Sequence, residues 1–123
     1  MMSIYDDPEP LDRAVAEERL ASADPDVVTE TLVSMSLHAT DWRWVQAQCA
    51  EAASHPALQV RSIVPICFGH LARIHGTIDW NVVEPVLARL GTEPRLAGQV
   101  ESARDDFEVF LGRRGRNDLG RVG

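Results

Sequence analysis

The chain has 123 residues, of which 45% are hydrophobic and 25% are charged, and its formal net charge at pH 7 is −7. This length predicts one compact domain, because two domains would each bury too little apolar surface. The negative charge argues against a nucleic-acid partner, since basic side chains supply most of that affinity. No apolar run approaches the roughly 20 residues of a membrane span, and residues 1–10 lack the features of a signal peptide, so we expect a cytoplasmic protein.

Composition and periodicity divide the chain into three parts. Residues 1–10 contain acidic residues and prolines and are interpreted as an N-terminal lead-in. Residues 11–111 carry apolar side chains at helical spacing, which predicts one helical domain. Residues 112–123 are rich in Arg and Gly and are predicted to form a flexible tail.

Six helices are predicted within this domain, and several are bounded by residues that favour helix ends. Asp24, Asp41 and Asp79 are expected N-caps, because a carboxylate accepts the unpaired N–H groups of a first turn. Gly76 is placed where a left-handed C-terminal cap would lie, and Gly91 is expected to end the fifth helix. The predicted helices cover residues 11–21, 25 to 38 or 39, 42–53, 57–75, 80–90 and 96–111.

The predicted core follows the apolar stripes of these helices. The stripe of the fourth helix consists of Ile63, Val64, Cys67, Phe68, Leu71 and Ile74. The inward side of the last helix is predicted to hold Val100, Ala103, Phe107, Phe110 and Leu111. Its outward side is predicted to hold Glu101, Arg104, Asp105 and Glu108. Cys49 and Cys67 lie inside helical stripes, which favours buried reduced thiols over a disulfide or a metal site.

The turns before the second, fourth and sixth helices suggest a repeated unit. Pro25, Pro56 and Pro94 mark these turns at intervals of 31 and 38 residues. The chain here resembles HEAT repeats, which have Val-Arg at the start of the second helix and a Leu-Gly pair further along. Val60-Arg61 and Phe68-Gly69 match these features, although His55 replaces the usual Asp of the turn. The resemblance implies an all-α fold of three antiparallel helical hairpins, stacked as a short HEAT-like α-solenoid.

A narrower resemblance concerns short bacterial HEAT-like proteins, some of which are immunity proteins against contact-delivered toxins. It rests on Trp42-Arg-Trp-Val-Gln, Val60-Arg61, the run from Gly69 to His75, and Asp105-Asp106. For this chain it implies a non-catalytic inhibitor that binds a toxin domain, of nuclease type, and blocks its active cleft. The alternative is a HEAT-like scaffold or adaptor that binds a housekeeping protein.

Enzyme and metal functions find no support in the residue pattern. No nucleophile motif or phosphate-binding glycine loop is present, and we expect neither an enzyme nor a cofactor. Asp105 and Asp106 are adjacent and point about 100° apart on a helix, which does not suit paired-carboxylate catalysis. His70 and His75 are five residues apart, about 140° around a helix, and do not form the i, i+4 pair of zinc helices.

Partner-binding candidates lie on the second helices of the hairpins and at the starts of the first helices. His70 has an alternative as a capped or packed residue, Trp42 and Trp80 have one as packed residues, and Arg61 fits either a structural strut or a ligand contact. The first 30 residues carry nine carboxylates and two arginines, which fits a solvated surface or attraction of a basic toxin domain. We expect a monomer in the free state. The candidate partner-binding residues are Trp42, His70, Arg73, His75, Trp80, Asp105 and Glu108.

Overall fold

The computed structural model describes residues 12–115, which form six α-helices and contain no strand. The all-helical prediction is therefore confirmed for these residues. The predicted lead-in at residues 1–10 and the last part of the predicted tail, residues 116–123, lie outside the described residues. The helices are α1 (Arg13–Leu20), α2 (Pro25–His38), α3 (Trp42–Ala52), α4 (Leu58–His75), α5 (Trp80–Leu90) and α6 (Ala97–Leu111).

The helix ends follow the predicted capping residues. Asp24, Asp41 and Asp79 each accept a backbone N–H of their own first turn, at 2.9, 3.2 and 3.0 Å respectively. Gly76 ends α4 with φ of 68°, a left-handed conformation that residues with a Cβ rarely adopt. The three aspartate caps thus pair N–H groups that a helix leaves free at its N-terminus.

Helix α4 occupies the centre of the molecule and contacts both α2 and α6. The largest fully buried side chains include Leu32 of α2, Phe68 and Leu71 of α4, and Phe107 of α6. Each odd-numbered helix is followed by a longer one, with α4 the longest at 18 residues. Cys49 and Cys67 are free and buried, as predicted.

Arg61 is a structural strut between successive turns. Its guanidinium donates to the backbone carbonyls of His55 and Pro56, at 3.0 and 2.9 Å, and to both carboxylate oxygens of Glu93. His55 stands in place of the usual Asp of the turn, and its Nδ1 accepts the N–H of Ala57, the residue before α4, at 3.0 Å. The turn before α4 is thereby tied to the turn before α6.

Three predictions about side-chain burial are wrong. Arg104, predicted to face outward, is only 5% exposed, because Glu84 of α5 takes up its guanidinium. Phe110, predicted to face inward, is 42% exposed, since it lies about 60° around α6 from the buried Phe107. Ile74, assigned to the buried stripe, is 40% exposed in the last turn of α4.

The first residues of the predicted tail, 112–115, pack against α5 and α6. Arg104 donates to the carbonyl oxygen of Arg114 at 2.7 Å. Gly115 is buried with φ of 104°, and a Cβ there would clash with Glu84 and lie 3.0 Å from the ring of Trp80. Only glycine fits this conformation and this space.

Candidate functional site

One side of α4 stays accessible between its two neighbours. The exposed and half-buried side chains on this side of α4 form a row within an arc about 120° wide, at 100° per residue. Together with the adjoining rows of α2 and α6, they form a surface that we call the open face. The α4 row contains Gln59, Ser62, Ile63, Ile66, His70, Arg73 and Ile74. The α2 row contains Asp26, Glu30, Val33 and Leu37, and the α6 row contains Gln99, Asp106 and Phe110.

A hydrogen bond joins the α2 row to the α4 row. Gln59 Nε2 donates to Asp26 Oδ1 at 2.8 Å, near the N-terminal ends of both helices. Glu30 lies one turn after Asp26 on the same side of α2 and is exposed. This end of the open face is therefore acidic.

A close approach between α4 and α6 joins the other two rows. A Cβ at Gly69 would lie only 2.6 Å from Oδ2 of Asp106, so the Asp106 carboxylate occupies the space that a larger residue would fill. The three atoms nearest to such a Cβ all belong to the Asp106 side chain. The glycine thus positions a carboxylate on the open face.

His70 lies between this carboxylate and Arg73. Burial lowers the pKa of His70 below its ordinary value, and the Arg73 cation lowers it further, while Asp106 acts in the opposite direction. The Nδ1 atom of His70 lies 3.4 Å from Nη2 of Arg73 and can accept its hydrogen bond. At pH 7 His70 is therefore a neutral side chain that holds the Arg73 guanidinium.

The open face combines negative charge with exposed apolar side chains. Its three carboxylates, Asp26, Glu30 and Asp106, outnumber the single guanidinium of Arg73, for a net charge of −2. Of the four exposed large apolar residues within residues 12–115, three lie on it, namely Ile66, Ile74 and Phe110, with exposed fractions of 37 to 42%. Exposed aliphatic and aromatic groups beside charged ones are typical of protein-binding surfaces.

Two predicted partner contacts, Asp105 and Glu108, lie on a different side of α6. Arg114 Nη1 binds them at 2.7 and 2.9 Å, and Nη2 of the same guanidinium binds Glu101 at 2.8 Å. These hydrogen bonds, led by that to Asp105, hold the pKa of Arg114 above its ordinary range. Asp105 and Glu108 are about 100° or more around α6 from Asp106 and have an internal cation as partner.

The other three predicted partner contacts, Trp42, Trp80 and His75, do not lie on the open face. Trp42 and Trp80 are half-buried at the starts of α3 and α5, and the Arg43 guanidinium lies 4.5 Å from the ring centroid of Trp42. Trp80 packs edge to face on Phe107, with centroids 5.4 Å apart, and Arg113 covers its ring at 4.1 Å. The buried Nε2 of His75 has no hydrogen-bond partner within residues 12–115.

Of the predicted site residues, the structure brings together His70 and Arg73, and it adds Asp106. We considered Asp106 only as the neighbour of Asp105. Two sequence features could have identified Asp106. Gly69 indicates a close approach between helices, and the position of Phe107 in the apolar stripe indicates which side of α6 its neighbours occupy. Within residues 12–115 no group of three or more His, Cys, Asp or Glu side chains is arranged to hold a metal ion. No described helix is long and apolar enough to cross a membrane.

Comparison with known proteins gives one informative similarity. No protein-family model matches the chain, and no curated protein sequence matches it. A chain in the crystal structure of a CDI (contact-dependent inhibition) complex from Cupriavidus taiwanensis LMG 19424 is similar, with a TM-score of 0.73 and 28% sequence identity. The match covers 86% of the present chain and 96% of the other. The present chain thus shares the fold of a component of a CDI complex across nearly its whole length.

Proposed function

We propose that this chain is an immunity protein of a CDI-type system, which binds a contact-delivered toxin domain in the cytoplasm and neutralises it. The observation that carries the proposal is the similarity in fold and sequence to a chain of a CDI complex. Resemblance of the sequence to short HEAT-like immunity proteins supports it independently. Inhibition is by binding, and the protein itself catalyses no reaction.

The mechanism follows from the arrangement of the longer helices. In a HEAT-like stack of three hairpins, α2, α4 and α6 line one surface, and here that surface is the open face. Its net charge of −2, and the −7 of the whole chain, suit a basic toxin surface such as the cationic cleft of a nuclease. Complementary charge accelerates association, and burial of Ile66, Ile74 and Phe110 would slow dissociation.

The proposed contacts differ in what binding requires of them. His70 and Arg73 lie on the open face and can contact the toxin domain without rearrangement. Asp105 and Glu108 can contribute only where the toxin domain replaces or surrounds Arg114. Trp42, Trp80 and His75 lie off the open face and are proposed as secondary contacts, where the toxin domain extends beyond that face.

The test is co-expression with the toxin domain that we expect the reading frame directly upstream to encode. We expect that domain alone to arrest bacterial growth, and co-expression of this chain to restore growth and yield a 1:1 complex on gel filtration. In an activity assay, inhibition by purified immunity protein should reach completion only near equimolar amounts. Failure to bind or protect would contradict the proposal, and complete protection at far lower amounts would contradict a non-catalytic mechanism.

The scaffold or adaptor alternative predicts a different result. A scaffold would bind a housekeeping protein that is present at its normal cellular level. It would leave the toxicity of the upstream domain unchanged. Growth with and without this chain therefore separates the two functions in a single experiment.

A further inference from the structure

Half-buried carboxylates in the described part of the chain are almost all paired. There are four of them, namely Asp79, Glu84, Glu93 and Asp106. Asp79 caps α5, while Glu84 and Glu93 form ion pairs with Arg104 and Arg61 at 2.7 and 2.9 Å. Asp106 has neither a cation nor a hydrogen-bond donor as partner within residues 12–115. The hydrogen-bond acceptors of this half-buried carboxylate are therefore left open to a partner from outside.

The surroundings of Asp106 suit a cation supplied from outside. The carboxylate lies over Gly69, where no side chain intervenes, beside a histidine that is neutral at pH 7. Arg73, one turn after Gly69 on α4, directs its Nη2 atom to His70. Phe110 follows one turn after Asp106 on the same side of α6 and is 42% exposed. An aromatic neighbour of this kind excludes water from an incoming ion pair and strengthens it.

We propose that Asp106 is the anchor for one Arg or Lys side chain of the toxin domain, which docks a basic surface with apolar flanks on the open face. This inference rests on the proposed function and adds the chemistry of the partner and the residue that recognises it. A guanidinium or ammonium would form charge-assisted hydrogen bonds with the Asp106 carboxylate, and the flanking apolar groups would cover Ile66 and Phe110.

The other acidic surface of α6 is a weaker anchor for such a residue. Glu101, Asp105 and Glu108 already share the Arg114 guanidinium, whose side chain is only 14% exposed. An incoming cation there would have to displace it and would gain little, because one ion pair would replace another. At Asp106 the incoming cation forms a pair that does not exist in the free protein.

The experiment compares two single substitutions that each remove one negative charge from α6. Asp106→Asn removes the proposed anchor, and Glu101→Gln removes a carboxylate on the other side of the same helix. Binding of the upstream-encoded toxin domain is measured by surface plasmon resonance at two salt concentrations. We expect Asp106→Asn to weaken binding by about 30-fold or more, mainly through faster dissociation, as for loss of one partner of a buried charge pair. Glu101→Gln should change affinity by less than about threefold, mainly through association, because Arg114 keeps its bonds to Asp105 and Glu108 and the long-range field changes by one charge.

A measurement on the free protein verifies that Asp106→Asn acts where the structure places it. Since the Asp106 carboxylate raises the pKa of His70, its removal should lower that pKa further, and Glu101→Gln should leave it in place. The His70 ring protons report this by NMR titration, and an unchanged melting curve verifies the fold.

Each result of the binding experiment has a defined meaning. If the wild-type chain binds and Asp106→Asn binds within about threefold of it, the anchor assignment is wrong while the proposed function stands. If the two substitutions weaken binding equally, the effect is one of net charge, and the assignment is also wrong. If the wild-type chain does not bind the toxin domain, the proposed function fails first and the inference fails with it.

Discussion

Loss of the buried ion pair between α5 and α6 is expected to destabilise the protein strongly. Both terminal nitrogens of Arg104 bind the two carboxylate oxygens of Glu84, at 3.1 and 2.7 Å, and the side chains are only 6% and 17% exposed. Glu84→Gln keeps the shape of the side chain but removes its charge. The guanidinium would then remain in a desolvated position without a counter-ion.

The size of this effect follows from the burial of the pair. Removing one partner of a buried ion pair costs about 3–5 kcal/mol, because the remaining charge is uncompensated. For a domain of roughly 100 residues, 1 kcal/mol corresponds to about 4 °C in Tm, so we expect a drop of about 12–20 °C. Replacement of both partners, as in Glu84→Leu with Arg104→Leu, should cost less than Glu84→Gln alone, since no charge is then left buried.

The measurement is thermal unfolding followed by far-ultraviolet circular dichroism. Glu93→Gln is the matched control, because it makes the same chemical change in the more exposed pair with Arg61, whose side chains are 21% and 37% exposed. Its effect on Tm should be much smaller, as is usual for ion pairs that water screens. A Tm for Glu84→Gln within about 4 °C of the wild type would refute the reasoning, since Arg104 would then retain adequate solvation.

Three further predictions concern the core and the open face. Phe68 is fully buried, so Phe68→Asp should abolish the cooperative melting transition, and a transition within a few degrees of the wild type would contradict its burial. Cys49 and Cys67 are 0% exposed, so although their mutual hydrogen bond raises the pKa of the Cys49 thiol and lowers that of Cys67, native protein should react with Ellman's reagent far more slowly than unfolded protein. His70 should titrate below its ordinary pKa of 6.5, and since the unfolded chain then binds more protons, stability should decrease as pH falls below that value. The His70→Gln variant should lack this component in denaturant unfolding at pH 7 and pH 5.5, and an identical pH dependence in both proteins would count against the assigned shift.

Local sequence signals predicted the helix ends well. Asp24, Asp41 and Asp79 could be identified because capping depends on only a few consecutive residues. The positive φ of Gly76 follows from the same kind of local rule. Burial of Val100, Ala103 and Phe107 in α6 could likewise be read from their spacing, since they define its apolar stripe.

Tertiary contacts decided the features that sequence patterns did not predict. Arg104 looks like an outward residue in the helical pattern, and only the position of Glu84 on another helix explains its burial. Phe110 lies at the edge of the apolar stripe of α6, where burial depends on whether a neighbouring helix reaches far enough to cover it. Asp105 and Asp106 are adjacent residues of the same type, so the sequence pattern does not distinguish their roles. The roles differ because Asp105 binds Arg114, whereas Asp106 lies against Gly69.

The most direct test of the central claim is hydrogen–deuterium exchange of this chain, free and in complex with the upstream-encoded toxin domain. We predict slower exchange on binding in the peptides of α2, α4 and α6 that carry the open face, residues 26–37, 59–74 and 99–110, with smaller changes in α3 and α5. Protection confined to α1, α3 and α5, or no protection in a complex known to have formed, would contradict the claim that the open face binds the toxin domain.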